Sequence, residues 1–169
     1  MQVLRGRVWK FGDDINTDLI QPSVAAKTPE ERAAACFSAN RPGWSSRVQR
    51  GDMLIAGRNF GTGSSRPAAG NLITLGVACV IAESINGLFL RNSINLGLPA
   101  LSIPGVADAF DEPDLAELDL TAGQLRNLRS GQEFSFSPLP KMVLDVLEQG
   151  GLMAVMVKRG YIDPPPGRA

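Results

Sequence analysis

The sequence predicts an α/β fold with parallel strand pairs at its centre. Two short, mostly apolar runs, Met53–Gly57 and Val77–Ser84, read as buried strands. Each leads through a loop into a segment with helical periodicity, and this strand–helix alternation is the mark of parallel pairing.

The remaining elements follow in chain order. Leu4–Gly12 opens as a short strand. Residues 13–22, DDINTDLIQP, set acidic and amide side chains around Ile15, Leu19 and Ile20, and read as a polar loop re-entering apolar surroundings. A helix starts after Thr28: the threonine is a cap, Pro29 suits the first helical position, and Glu31 completes a capping box. Residues 39–52 form a turn-rich connection to the strand at 53–57. A second helix runs from Pro67 to near Gly76. A third covers 85–97 with Ser84 as its cap, and another strand covers 98–105. No element is assigned to 106–132. Glu133–Pro138 alternates like a half-exposed strand, and 140–151 is a short amphipathic helix stopped by glycines. Leu152–Gly160 is read as a final strand. One domain, 1–160, is expected, with a Pro-rich tail over 161–169.

Composition narrows the function. A chain of 169 residues with 44% hydrophobic and 20% charged content is globular and can bury a substantial core. Zero net charge removes the long-range attraction that nucleic acid or an anionic membrane requires. A small anionic substrate needs only one or two arginines. The first residues mix charged and apolar side chains, unlike a signal peptide, and no apolar run approaches the roughly 18 residues of a spanning helix. A cytoplasmic location is expected, without membrane or nucleic-acid partners.

Histidine is absent altogether. Ser-His-Asp and Cys-His catalysis, and histidine-ligated zinc, are therefore incomplete in this chain. The two cysteines, Cys36 and Cys79, are too few for a four-cysteine site and sit in apolar patterns as core residues. No metal site is expected within the chain; metal chemistry, if used, belongs to another.

The loop NFGTGSSRPAAGN, 59–71, concentrates the polar chemistry. Gly61 and Gly63 permit positive φ and close backbone approach. Pro67 pushes Arg66 towards extended geometry, so the helix begins no earlier. Ser64 and Ser65 then precede a helix N-terminus, where free N–H groups favour an anion, and Arg66 adds a fork matched to carboxylate or phosphate. On composition alone this is either an ordinary strand-to-helix turn or an anion cradle. It lacks the Gly-Lys-Ser/Thr ending of a Walker loop, the GxSxG of a hydrolase elbow and the GxGxxG of a dinucleotide loop.

The segment 57–101, GRNFGTGSSRPAAGNLITLGVACVIAESINGLFLRNSINLGLPAL, resembles the swivel domain of the aconitase superfamily, and more closely the small subunits of 3-isopropylmalate dehydratases. FGDDINTDLIQP at 11–22 matches a second motif of that family, and the resemblance spans about residues 5–160 in the same order. It implies a compact α/β swivel domain with β/β/α layers and a mixed, partly parallel sheet. It also implies reversible dehydration and rehydration of a hydroxy di- or tricarboxylic acid, carried out with a large subunit that bears a [4Fe–4S] cluster. Carried over by position, Ser64 is the base that removes the proton from carbon, and Ser65 and Arg66 hold a substrate carboxylate. Thr17 and Asp18 line or brace the site, and Gly61 and Gly63 bring the loop backbone close to the substrate. The partner's cluster acts as Lewis acid on the leaving hydroxyl.

Other polar residues have plainer alternatives. Asp18 is either a loop cap or a site residue. Asn92 and Asn95 satisfy loop or helix-end backbone groups or touch the site. Arg91 is read as a structural ion pair, and Arg58 as a surface charge. Two departures from the family pattern stand out. Pro67 and Ala68 replace the usual glutamate and histidine. The segment after Pro22 is small and lacks the aromatic that reads the substrate's side group; there Lys27 is either solvated or set to meet an extra carboxylate. Isopropylmalate leads as the expected acid, in leucine biosynthesis. Dimethylmalate, methylmalate or citraconate, and homoaconitate remain alternatives, as does a carboxylate-binding swivel domain without catalysis.

Overall fold

The computed structural model describes residues 3–63 and 68–164. Among these residues seven strands form one mixed sheet in the order β4-β3-β2-β1-β5-β6-β7. One half is parallel: β1 (Leu4–Lys10), β2 (Met53–Ala56), β3 (Cys79–Ala82) and β4 (Ala100–Ser102). The other half is antiparallel: β5 (Leu115–Asp119) pairs with β1, then β6 (Gln124–Asn127) and β7 (Glu133–Ser135) follow.

Side-chain alternation shows how the layers stack. Every residue of β2 and β3 is buried, as expected of strands covered on both faces. Leu54, Ala56, Val80 and Ala82 point into one core with Ile20, Ala69, Leu72 and Phe89. These come from α1 (Thr17–Ile20), α3 (Ala68–Thr74) and α4 (Gly87–Leu96), and α2 (Pro29–Ala34) packs on α3. Met53, Ile55, Cys79 and Ile81 point the other way, into a second core with Ala116, Leu118 and Leu125. The antiparallel half thus curls over the parallel half. Its strands bury one face only, so β6 alternates exposed and buried. The result is the β/β/α layering, with α5 (Val106–Ala109) and α6 (Lys141–Glu148) closing the second core through Val106 and Leu147.

The structure corrects three expectations. The run Leu152–Lys158 is a helix, α7, instead of a final strand. A continuous apolar run fits either form; here Leu152 and Met153 stay exposed while Val155 is buried against α4 and α6, a helical spacing. Residues 106–132 hold α5 and the hairpin β5–β6, whose turn is closed by Asp119 accepting from the N–H groups of Thr121 and Ala122. The α4 cap is Asn86, whose Oδ1 accepts from Leu88 N–H, and Ser84 is engaged elsewhere. The capping box at Thr28 and Glu31 is present as read.

Asp52, just before β2, is the buried polar anchor of the first core. Its Oδ2 accepts from Trp9 Nε1 at 2.6 Å, Arg7 at 2.7 Å and the Gln49 N–H at 2.8 Å. Trp9 in turn packs edge-on to Trp44 and carries the Arg7 and Arg41 guanidinium groups over its ring. Removing the carboxylate strands a buried indole N–H and a backbone N–H. Asp52→Ala is expected to lower the unfolding free energy by about 3 kcal/mol, read from urea denaturation at constant m; a loss below about 1 kcal/mol would show that water replaces the acceptor without cost.

Candidate active site

The carboxyl ends of β1, β2 and β3 lie side by side, because parallel neighbours deliver their following loops to the same edge. The loop after β2 runs between the other two and extends the sheet by backbone pairing. On one side Gly61 N–H donates to Ile15 O at 2.7 Å and Thr17 N–H donates to Thr62 O at 2.8 Å, a parallel bridge between Asn16 and Thr62. On the other side Phe60 N–H donates to Ser84 O at 3.0 Å and Asn86 N–H to Phe60 O at 2.8 Å. The two motif segments, 13–18 and 59–63, are therefore in direct contact.

Each side chain takes its place from that pairing. Asn16 caps α1, its Oδ1 accepting from Leu19 N–H, and this turns the chain so that Thr17 is buried while Asp18 is exposed. Gly61 is buried with φ +76°, and a Cβ there would overlap the Phe89 side chain. Phe89 also meets Phe60 edge-on, so glycine at 61 lets α4 press against the strap. Gly63 is exposed with φ +106°, and a Cβ on it would stand 3.1 Å from Thr17 Oγ1. Thr17, Gly61 and Gly63 thus converge, and Asp18 follows Thr17 in α1. Ser64, Ser65, Arg66 and Pro67 lie outside the described residues; α3 is described from Ala68.

A family model described as the aconitase C-terminal domain matches residues 13–105, a span that begins at the first motif and contains the second. The chain belongs to the aconitase C-terminal domain family. The 3-isopropylmalate dehydratase small subunit 1 of Methanopyrus kandleri is 44% identical over 161 residues, covering 94% of this chain and 95% of its own. The methanogen homoaconitase small subunit of Methanothermobacter thermautotrophicus is 43% identical, with 89% of each chain covered. A crystal structure of 3-isopropylmalate dehydratase from Methanocaldococcus jannaschii matches with a TM-score of 0.86 at 32% identity, over 95% of this chain and 96% of that one.

Several residues of this aconitase-family domain stand differently from their sequence reading. Arg58 is no lone surface charge: its N–H donates to Asp13 Oδ1 at 2.7 Å and its guanidinium to Asp13 Oδ2 at 3.3 Å. Arg91 is exposed and makes no ion pair among the described residues. Asn92 and Asn95 make no side-chain hydrogen bond to the described backbone; the end of α4 is closed instead by Gly97 N–H to Ile94 O and Leu98 N–H to Ser93 O. Lys27 is exposed, with its backbone N–H bound to Glu31. Cys36 and Cys79 are core residues, and burial pushes both thiols up to about 12. A surface groove of about 730 Å³, lined by Ile73, Leu96, Met153 and Val157, lies outside the 16–18 and 61–63 cluster. No helix among the described residues is long and apolar enough to cross a membrane.

Sequence reasoning gave Asn59 and Asp14 no role of their own and read Ser84 only as a helix cap. Asn59 Nδ2 donates to Asp14 Oδ1 at 2.8 Å, and Asn59 N–H donates to Ser84 Oγ at 2.9 Å. Asp14 and Asn59 both have left-handed backbone, φ 58° and 61°, which a pair of Asx residues tolerates best among residues other than glycine. The Asn-X-Gly spacing at 59–61 was the available signal.

Asp13 is held below the ordinary carboxylate value of 3.8, first by the Arg58 N–H; desolvation opposes this, and the Arg58 guanidinium adds to the lowering. A depressed folded-state value stabilises the fold above the unfolded pKa and is lost as pH falls through the folded one. NMR titration should place Asp13 below 3.8, and Asp13→Asn should destabilise the fold at neutral pH but not in acid beyond that titration. A carboxyl titrating at or above 3.8 would contradict the contact.

Proposed function

We propose that this chain is the small subunit of a two-component hydro-lyase that dehydrates and rehydrates a hydroxy dicarboxylic acid, with isopropylmalate as the leading substrate, in the cytoplasm. The observation that carries the reading is the pairing of Thr17 with Thr62 and of Ile15 with Gly61, which joins the two motif segments at the edge of the parallel sheet. Relatives 43–44% identical over most of the chain are named dehydratase or homoaconitase small subunits, which supports both the chemistry and a large-subunit partner.

The chain's own donors do not suit an iron–sulfur cluster. Among the described residues no three acidic or thiol side chains converge, the sequence has no histidine, and both thiols are buried in the core. In this reading a [4Fe–4S] cluster is held by the large subunit, and this chain handles protons and carboxylates. Ser64, directly after Gly63, is the base: as an alkoxide it takes the proton from the carbon next to the one losing hydroxide, so a C=C bond forms, and the reverse order adds water. A serine hydroxyl reaches that state only under strong positive potential, for which backbone N–H groups and Arg66 are the local sources. Ser65 and Arg66 hold a carboxylate, for which the arginine fork is matched, and Thr17, Asp18, Gly61 and Gly63 line or brace the site.

Co-expressed with its cluster-bearing partner, Ser64→Ala should assemble normally and lose turnover by about 10³-fold or more, measured by formation of the unsaturated acid. An unchanged rate would remove the base assignment. Assay of isopropylmalate beside homologous acids of longer or more polar side group identifies the substrate.

A further inference from the structure

Asn59 ties together the loops that follow β1, β2 and β3: it belongs to the loop after β2, its side-chain amide reaches Asp14 after β1, and its N–H reaches Ser84 after β3. Around it the backbone is doubly fixed. Asp14 N–H donates to Arg58 O at 2.8 Å, and Arg58 N–H returns to Asp13. Two left-handed residues facing each other across this contact set the direction in which the strap leaves β2, two residues before Gly61 and five before Ser64. A misplacement of about 1 Å can cost much of a catalysed rate, so the direction of the strap matters to catalysis.

We infer that Asn59 is a positioning residue: its amide bond to Asp14 locks the 57–63 strap to the 13–18 segment, and turnover of the assembled enzyme depends on that lock. This rests on the function proposed above. The bond is exposed and modest in strength, so its effect lies in geometry more than in global stability. Asp14 and Asn59 also permit a test that keeps the backbone. Asn59→Gly retains the left-handed conformation and the N–H to Ser84, and deletes only the amide. The double exchange Asp14→Asn with Asn59→Asp restores one hydrogen bond with donor and acceptor reversed, on residue types that suit the same φ.

Two readouts decide it. Hydrogen exchange on the full chain reports the Thr17 and Gly61 amides, which bridge the two segments. Turnover of the assembled enzyme reports the loop. With Asn59→Gly, both amides should exchange about fivefold faster and kcat/KM should fall about tenfold, at unchanged assembly, and the double exchange should recover most of both. Unchanged exchange at Thr17 and Gly61 overturns the inference. So does a loss of activity that only follows loss of folded protein, or a double exchange no better than Asn59→Gly. If the wild-type pair turns over none of the acids, the function reading fails instead, and the exchange rates still decide whether Asn59 locks the segments.

Discussion

The structure depends on backbone pairing that continues beyond the ends of β1 and β2. Parallel strands bring their following loops to a common edge but give those loops no reason to touch. Here Gly61 N–H to Ile15 O and Thr17 N–H to Thr62 O add another rung to the sheet after the regular strands have stopped. Two segments 45 residues apart, Asp13 with Arg58, thereby become one surface. Glycine at 61 lets that rung sit under Phe89, and glycine at 63 lets the strap pass close to Thr17. The two cores serve the same end: β2 and β3 are buried on both faces, so the platform beneath the strap is rigid.

The chemistry available at this edge is set by what the sequence omits. Histidine is absent, and the proposed mechanism gives proton transfer to the Ser64 hydroxyl, which must then be activated by surrounding positive potential. On that proposal the adjacent serine and arginine of the loop act together, and the large subunit encloses the rest of the site. The thiols of Cys36 and Cys79, pushed up to about 12 inside the cores, take no part.

Much of this was legible in the chain. The apolar runs of β2 and β3 and the capping box at Thr28–Glu31 are local signals, and the structure keeps them. Features resting on distant partners were not legible. Asp52 looks like a turn residue in sequence, yet it receives Trp9 from 43 positions away. Ser84 was a reasonable cap by type, but Asn86 takes that role because Ser84 is turned towards Asn59. Leu152–Lys158 is apolar enough for either helix or strand, and packing against α4 and α6 decides it. In the β5–β6 hairpin the alternation Leu-Ala-Glu-Leu-Asp was present, but it is short and charged, as an outer layer buried on one face requires.

The most direct measurement is a titration of the purified chain into its cluster-loaded large subunit, with isopropylmalate dehydration followed by absorbance of the unsaturated product. Neither component alone should turn over substrate, and the rate should rise with added chain to a plateau. A large subunit equally active without the chain, or a mixture inactive towards every acid of the series while the two still bind, would contradict the assignment of half the active site to this edge of the sheet.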